Sequence, residues 1–168
     1  MFGGLRRFII GMTAAIALLA APAALALTRE QLRTCESKVE IAPDQRIAAC
    51  TAVIEFKSTK KPAKAEALIS RGKAYRAKGE SEQAVRDFDE AIRLDNKAGE
   101  AYYYRGMALR DRGESDRALQ DLEQAIRYDK RNFTVYDTLS HIYYDKRDYD
   151  RAVDVLTQAI KLNSNSAL

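Results

Sequence analysis

The sequence is poor in the residues that carry out chemistry. Histidine occurs once, at His141, and cysteine twice, at Cys35 and Cys50. A hydrolase relay needs a nucleophile, a base and an orienting acid, and no motif around His141 marks the other two. Two cysteines far from the histidine offer no zinc spacing, and they form neither a C-x-x-C redox pair nor a C-x-x-C-H haem attachment. A phosphate-cradling glycine loop is also missing. Catalytic, metal and cofactor readings therefore have no residues to stand on, and the many Asp and Glu residues read as helix surfaces and turns. Positive charge is modest at +4, which speaks against a nucleic-acid partner.

The first 26 residues differ in kind from the rest. "MFGGLRRF" carries Arg6 and Arg7 and no acid, "IIGMTAAIALLA" is apolar throughout, and "APAALA" places small residues at Ala24 and Ala26. This is the pattern of a secretory leader cut after Ala26, which sends the chain to the periplasm or outside the cell. The apolar run is short for a span, which needs about 20 residues. A membrane enters only if the segment is kept as an uncleaved anchor. The Arg pair alone does not make a twin-arginine signal, and no Cys follows the apolar run to carry a lipid. Without Arg6 and Arg7 the formal charge falls to +2, a mixed and soluble surface. In an oxidising compartment Cys35 and Cys50, 15 positions apart, most simply form one disulfide. Closing a loop of that size stabilises by about 3 kcal/mol in the chain-entropy model.

What the chain does have is a period. "RGKAYRAKGESEQAVRDFDEAIRLD" from Arg71 returns 34 residues later as "RGMALRDRGESDRALQDLEQAIRYD" from Arg105. A further 34 residues on, "LSHIYYDKRDYDRAVDVLTQAIKLN" from Leu139 keeps the register. The repeated columns are Gly72, Gly106 and Ser140; Tyr75, Leu109 and Tyr143; Ala84, Ala118 and Ala152; Phe88, Leu122 and Leu156; and Ala91, Ala125 and Ala159. Steps of three and four between apolar columns predict helices, two per copy. Gly79 and Gly113 end the first helix of a copy, and Ser81, Ser115 and Asp148 cap the second. "DNKAG" and "DKRN" are turns between copies. The small columns let helices approach closely, and Tyr75, Phe88, Leu122 and Leu156 fill the remaining volume. A lone hairpin cannot bury its apolar side, whereas a stack of them can.

On these columns the chain resembles the tetratricopeptide-repeat family from residue 65 to about 164. Leu68, Tyr102 and Tyr136 stand at the family's fourth position, and both alanine columns match three times. Arg71 and Arg105 depart from it by replacing a leucine, and the usual proline is absent at Asn96, Lys130 and Ser164. The resemblance implies an all-α fold, a right-handed superhelical stack of about three full units: residues 62–98, 99–132 and 133–168. Residues 27–61 read as a decayed hairpin. In it "TREQLRTCESKVE" is a helix, Pro43 and Asp44 restart the chain, and Cys50 falls in the column of Phe88. The basic connector "KSTKKPAK" follows.

The resemblance also implies a concave groove lined by the first helix of each unit, and a protein or peptide partner held without covalent chemistry. Carried over by column, its lining is Glu66, Ile69, Ser70, Lys73 and Arg76, then Glu100, Tyr103, Tyr104, Met107 and Arg110. The third unit adds Thr134, Asp137, Thr138, His141, Tyr144 and Asp145. Lys73, Arg76 and Arg110 predict a cationic early groove suited to an acidic segment, with Tyr103, Tyr104 and Tyr144 as aromatic contact area. The asparagine columns of the carboxylate-gripping subgroup hold Lys73, Met107 and His141, so that activity does not carry over. A structural subunit of an envelope complex, acting through its C-terminal end or convex face, is the competing reading. Residues 149–168 supply its surface: Val155 replaces Asp87 and Asp121 of the earlier copies, and Val153, Ile160 and Leu162 add apolar area. With no sequence left for a capping helix, these predict self-association, a symmetric dimer being the simplest closed form.

Overall fold

The computed structural model describes residues 27–164, and the leader expected over residues 1–26 lies outside them. Among the described residues all regular elements are helices: α1 Arg29–Glu36, α2 Pro43–Glu55, α3 Lys61–Ala77, α4 Ser81–Leu94, α5 Gly99–Asp111, α6 Ser115–Tyr128, α7 Phe133–Asp145 and α8 Tyr149–Ser164. Each packs on the next, so α1 to α8 form a continuous stack of antiparallel hairpins.

Local chemistry sets the helix ends. Thr28 and Gln31 close a reciprocal capping box at the start of α1, with backbone-to-side-chain distances of 2.9 and 3.1 Å. Proline opens α2, and Pro62 lies in the first turn of α3, where no N–H is needed. Helix α3 therefore begins inside the basic connector and not after it. Gly79 and Gly113 end α3 and α5 at φ +78° and +80°. The Gly79 N–H donates to Arg76 O and the Glu80 N–H to Tyr75 O, both at 2.9 Å, which closes the last turn. Arg147 occupies the same place after α7, at φ 61° and with the same pair of bonds.

Two of the expected caps are displaced. The residues that flank α4 and α6 are Glu80 and Glu114, with no side-chain cap bond, and Ser81 and Ser115 are already helical. Asp148 does cap α8, its carboxylate accepting from the Arg151 N–H at 3.2 Å.

The core runs through α3 to α8 along the repeated columns. Ala84, Ala91, Ala118 and Ala125 are essentially solvent-free, Ala152 is buried and Ala159 partly so. A Cβ on Gly72 would lie 2.7 Å from the Phe88 ring, and one on Gly106 would lie 3.2 Å from both Ala118 O and Leu122 Cγ. Phe88 and Leu122 are fully buried, each stabilising by about 2 kcal/mol over an exposed side chain. Leu156, expected to fill the same role, is 43% exposed, because no described helix follows α8 to cover it.

Val155 is the opposite correction: it is buried in the core and not part of an outer patch. Its counterparts explain why. Asp87 and Asp121 are also buried, each held by the arginine that replaces the family's leucine. Arg71 donates to both Asp87 oxygens at 2.8 and 2.7 Å, and Arg105 to both Asp121 oxygens at 2.7 Å. In the last unit Leu139 and Val155 fill those two places as an apolar pair. The bond to Asp121 holds the Arg105 guanidinium above its ordinary range, against the opposing pull of burial.

A second, smaller cluster surrounds a Cys35–Cys50 disulfide, the expected pair, whose Cα atoms are 4.8 Å apart.

Candidate binding groove

Helices α1, α3 and α5 touch one another in turn as well as their hairpin partners. They therefore line one common face. At its N-terminal end this face deepens into a cleft of about 760 Å³ between α3 and the chain from Glu36 to Pro43. Val53, Ala67, Ile69 and Ala74 give it an apolar floor, and Val39 and Ile41 stand on the opposite wall.

Residues 37–42 of that wall have no regular structure of their own, so they are held by side chains. The Arg46 guanidinium donates to three of its carbonyls: Cys35 O at 3.4 Å, Ser37 O at 2.8 Å and Val39 O at 2.9 Å. The disulfide fixes α1 to α2 directly behind it. Neither Arg46 nor the wall was anticipated from sequence. The segment has no counterpart in the later copies, so a column-by-column reading passes over it.

Of the expected lining, Glu66, Ile69, Ser70 and Lys73 border the cleft, and Glu100 reaches it from α5. The Lys73 ammonium lies 3.0 Å from the Glu100 carboxylate and 4.5 Å above the Tyr104 ring. Burial pulls this amine down, but the bond to Glu100, its charge and Tyr104 together hold it above the usual range. Tyr103 meets Tyr104 edge to face at 4.9 Å, and Tyr104 stacks on Phe88 at 6.1 Å. Lys73, Tyr103 and Tyr104 thus form one cluster.

The other candidates stand apart from it. Arg76 pairs with Asp111 at 2.6 Å, tying α3 to the end of α5. Met107 is half-buried, and the Arg110 side chain pairs with no described residue. On α7, exposed His141 lies 3.7 Å from Asp137, and Tyr144 meets Tyr149 edge to face at 5.4 Å. Thr134, Asp137 and Asp145 are exposed, whereas Thr138 is buried with its hydroxyl donating to Thr134 O at 2.9 Å, so it lines nothing.

Of the three cations expected to make the early groove positive, Lys73 and Arg76 are already neutralised by Glu100 and Asp111, whereas Arg110 pairs with no described residue. Arg46 spends its donors on the wall. Around the cleft four carboxylates face three cations, and Glu36, Glu40 and Glu66 form no ion pair with a described residue. The column rule could not see that acids from the next unit meet its bases. Among the described residues no three His, Cys, Asp or Glu side chains converge as a metal site needs, and no helix is long and apolar enough to cross a membrane.

Models of the tetratricopeptide repeat match residues 60–133 and 133–166. Among solved structures the chain is similar to a crystal structure of MamA, with a TM-score of 0.67 and 25% identity over 74% of this chain and 71% of that one. A second MamA crystal structure gives 0.66 and 25%, over 74% and 66%. The first TPR of Spaghetti (RPAP3), bound to the HSP90 peptide SRMEEVD, gives 0.60 and 20%, over 74% and 93%. No curated protein matches the sequence.

Proposed function

The chain belongs to the tetratricopeptide-repeat family and is a protein–protein interaction module; from that premise we propose that it holds an extended protein segment in the cleft between α3 and residues 36–43. The observation that carries this reading is the cleft itself, which joins an apolar floor to a rim where three carboxylates and one lysine, Lys38, lack an ion-pair partner, leaving an acidic excess. Such a site suits a segment with one or two apolar side chains for Ile41, Val53 and Ile69, and a lysine, arginine or free amine for Glu36, Glu40 and Glu66. The peptide on the RPAP3 domain is acidic. At 20% identity that structure speaks for the fold alone, so the ligand's charge is argued from the residues present here. Binding works by preformed shape and charge matching, and the fixed wall keeps the ordering cost low. The module acts outside the cytoplasm, in the periplasm or secreted, after loss of residues 1–26. The formed disulfide supports that compartment.

The test is fluorescence anisotropy with two series of extended peptides sharing an apolar core, one flanked by basic and one by acidic residues. The basic series should bind, and Glu40→Lys with Glu66→Lys should weaken it by roughly tenfold or more while melting stays unchanged. Preference for the acidic series, or indifference to the double reversal, would contradict the reading. The alternative, a structural subunit of an envelope complex, is favoured by one observation, the exposed apolar stripe on α8.

A further inference from the structure

Tyr149, Val153, Leu156 and Ile160 recur along α8 at steps of four, three and four. That is the spacing of a narrow seam packed against a second helix. The four are 53%, 62%, 43% and 69% exposed. In the preceding units the equivalent positions are covered. Val85 and Phe88 are buried and Ile92 half-buried on α4, with α5 packed over it. Leu119, Leu122 and Ile126 on α6 lie likewise beside α7. The chain thus shows twice what this stripe accepts, which is another helix laid along it. The seam on α8 is also one apolar side chain longer, because Tyr149 stands where α4 and α6 begin with Ser81 and Ser115.

We propose that α8 pairs through this seam with α8 of a second copy, antiparallel, about a two-fold axis near Leu156. Self-pairing is favoured because the seam's only match in the described chain is itself. Of the other exposed large apolar side chains Tyr144 adjoins the seam at Tyr149, whereas Val39, Tyr128 and Phe133 are scattered, and residues 27–60 offer only Val39. A head-to-tail stack would therefore set the seam against a polar end. The direction follows from the helix dipoles, which parallel pairing would align and antiparallel pairing opposes. The helix is about 24 Å long, so the contact belongs to the small, reversible class and not to obligate dimers. The seam lies outside the cleft and leaves it open.

Light scattering over a concentration series, from micromolar to submillimolar, should show a monomer passing into a dimer. Val153→Glu with Ile160→Glu should weaken that step by roughly tenfold or more, with the far-ultraviolet helix signal retained. Because that variant removes part of the surface, a second arm leaves the seam intact. Thr157→Cys, beside the axis, should crosslink to its own copy with a short bis-maleimide. Asp150→Cys should not, since antiparallel pairing separates its copies by about 20 Å. A monomer throughout, a dimer untouched by the double glutamate, or equal crosslinking at both positions would overturn the proposal. If a monomeric protein instead uses the seam to bind another chain, the occupant is a foreign helix and the dimer is wrong.

Discussion

Arg105 grips Asp121 sixteen residues along the chain, with Nε and Nη2 each 2.7 Å from a carboxylate oxygen. Arg71 grips Asp87 in the same way one unit earlier, and the last unit holds Leu139 and Val155 in those two places. Each arginine also reaches back to the preceding hairpin, Arg71 to Thr51 at 2.9 Å and Arg105 to Asp89 at 2.6 Å. The pair thus packs within a unit and joins units.

The chain's own third unit supplies the experiment. Arg105→Leu alone strands a buried carboxylate and should lower stability by about 3–5 kcal/mol. Arg105→Leu with Asp121→Val copies the last unit and should recover most of that loss. Urea denaturation midpoints decide: a double variant as weak as the single one would show that the pair is not an interchangeable packing element.

These residues also show where sequence reading reached its limit. The helices, the glycine stops and the alanine columns were legible because each is a property of one column. The ion pair was not, since Arg71 read as a departure from the family and Asp87 as an outward polar residue. Only two columns taken together, Arg with Asp twice and then Leu with Val, reveal it. Val155 was misplaced for the same reason. Leu156 was misread because its column is buried only where another unit follows. The cleft's wall was invisible for a different cause: residues 36–43 occur once and carry no period.

Gly72 and Phe88 should behave as one packing unit. Gly72→Ala drives a Cβ to 2.7 Å from a fully buried ring that must shift to admit it, an overpacking change of about 1–3 kcal/mol. Adding Phe88→Leu, the residue type at Leu122, should make the pair less damaging than the two single losses summed. Strict additivity in denaturation would show that the clash is relieved elsewhere.

Arg147 carries a left-handed conformation that Gly79 and Gly113 carry without strain. Arg147→Gly should raise stability by about 0.5–1 kcal/mol, and Gly113→Ala should lower it by a similar amount. Melting temperatures should therefore move in opposite directions for the two variants. A lower melting temperature for Arg147→Gly would mean that the arginine side chain contributes more than its backbone costs.

The Cys35–Cys50 bond should hold the first hairpin in place. Thiol labelling of unreduced, denatured protein should find neither cysteine. Reduction should cost about 3 kcal/mol and should weaken peptide binding at the cleft, because α1 carries its wall. Full labelling without reductant would remove the bond and the argument from it.

The groove claim is tested most directly by photocrosslinking. A photoreactive residue placed at Val39 or at Glu66, on opposite sides of the cleft, should form an adduct with a bound basic peptide. The same residue at exposed Arg86 on α4 should not. Adducts from both cleft positions and none from α4 are the predicted result. An adduct from Arg86, with none from Val39 and Glu66, would contradict it and move the binding surface to the other side of the stack.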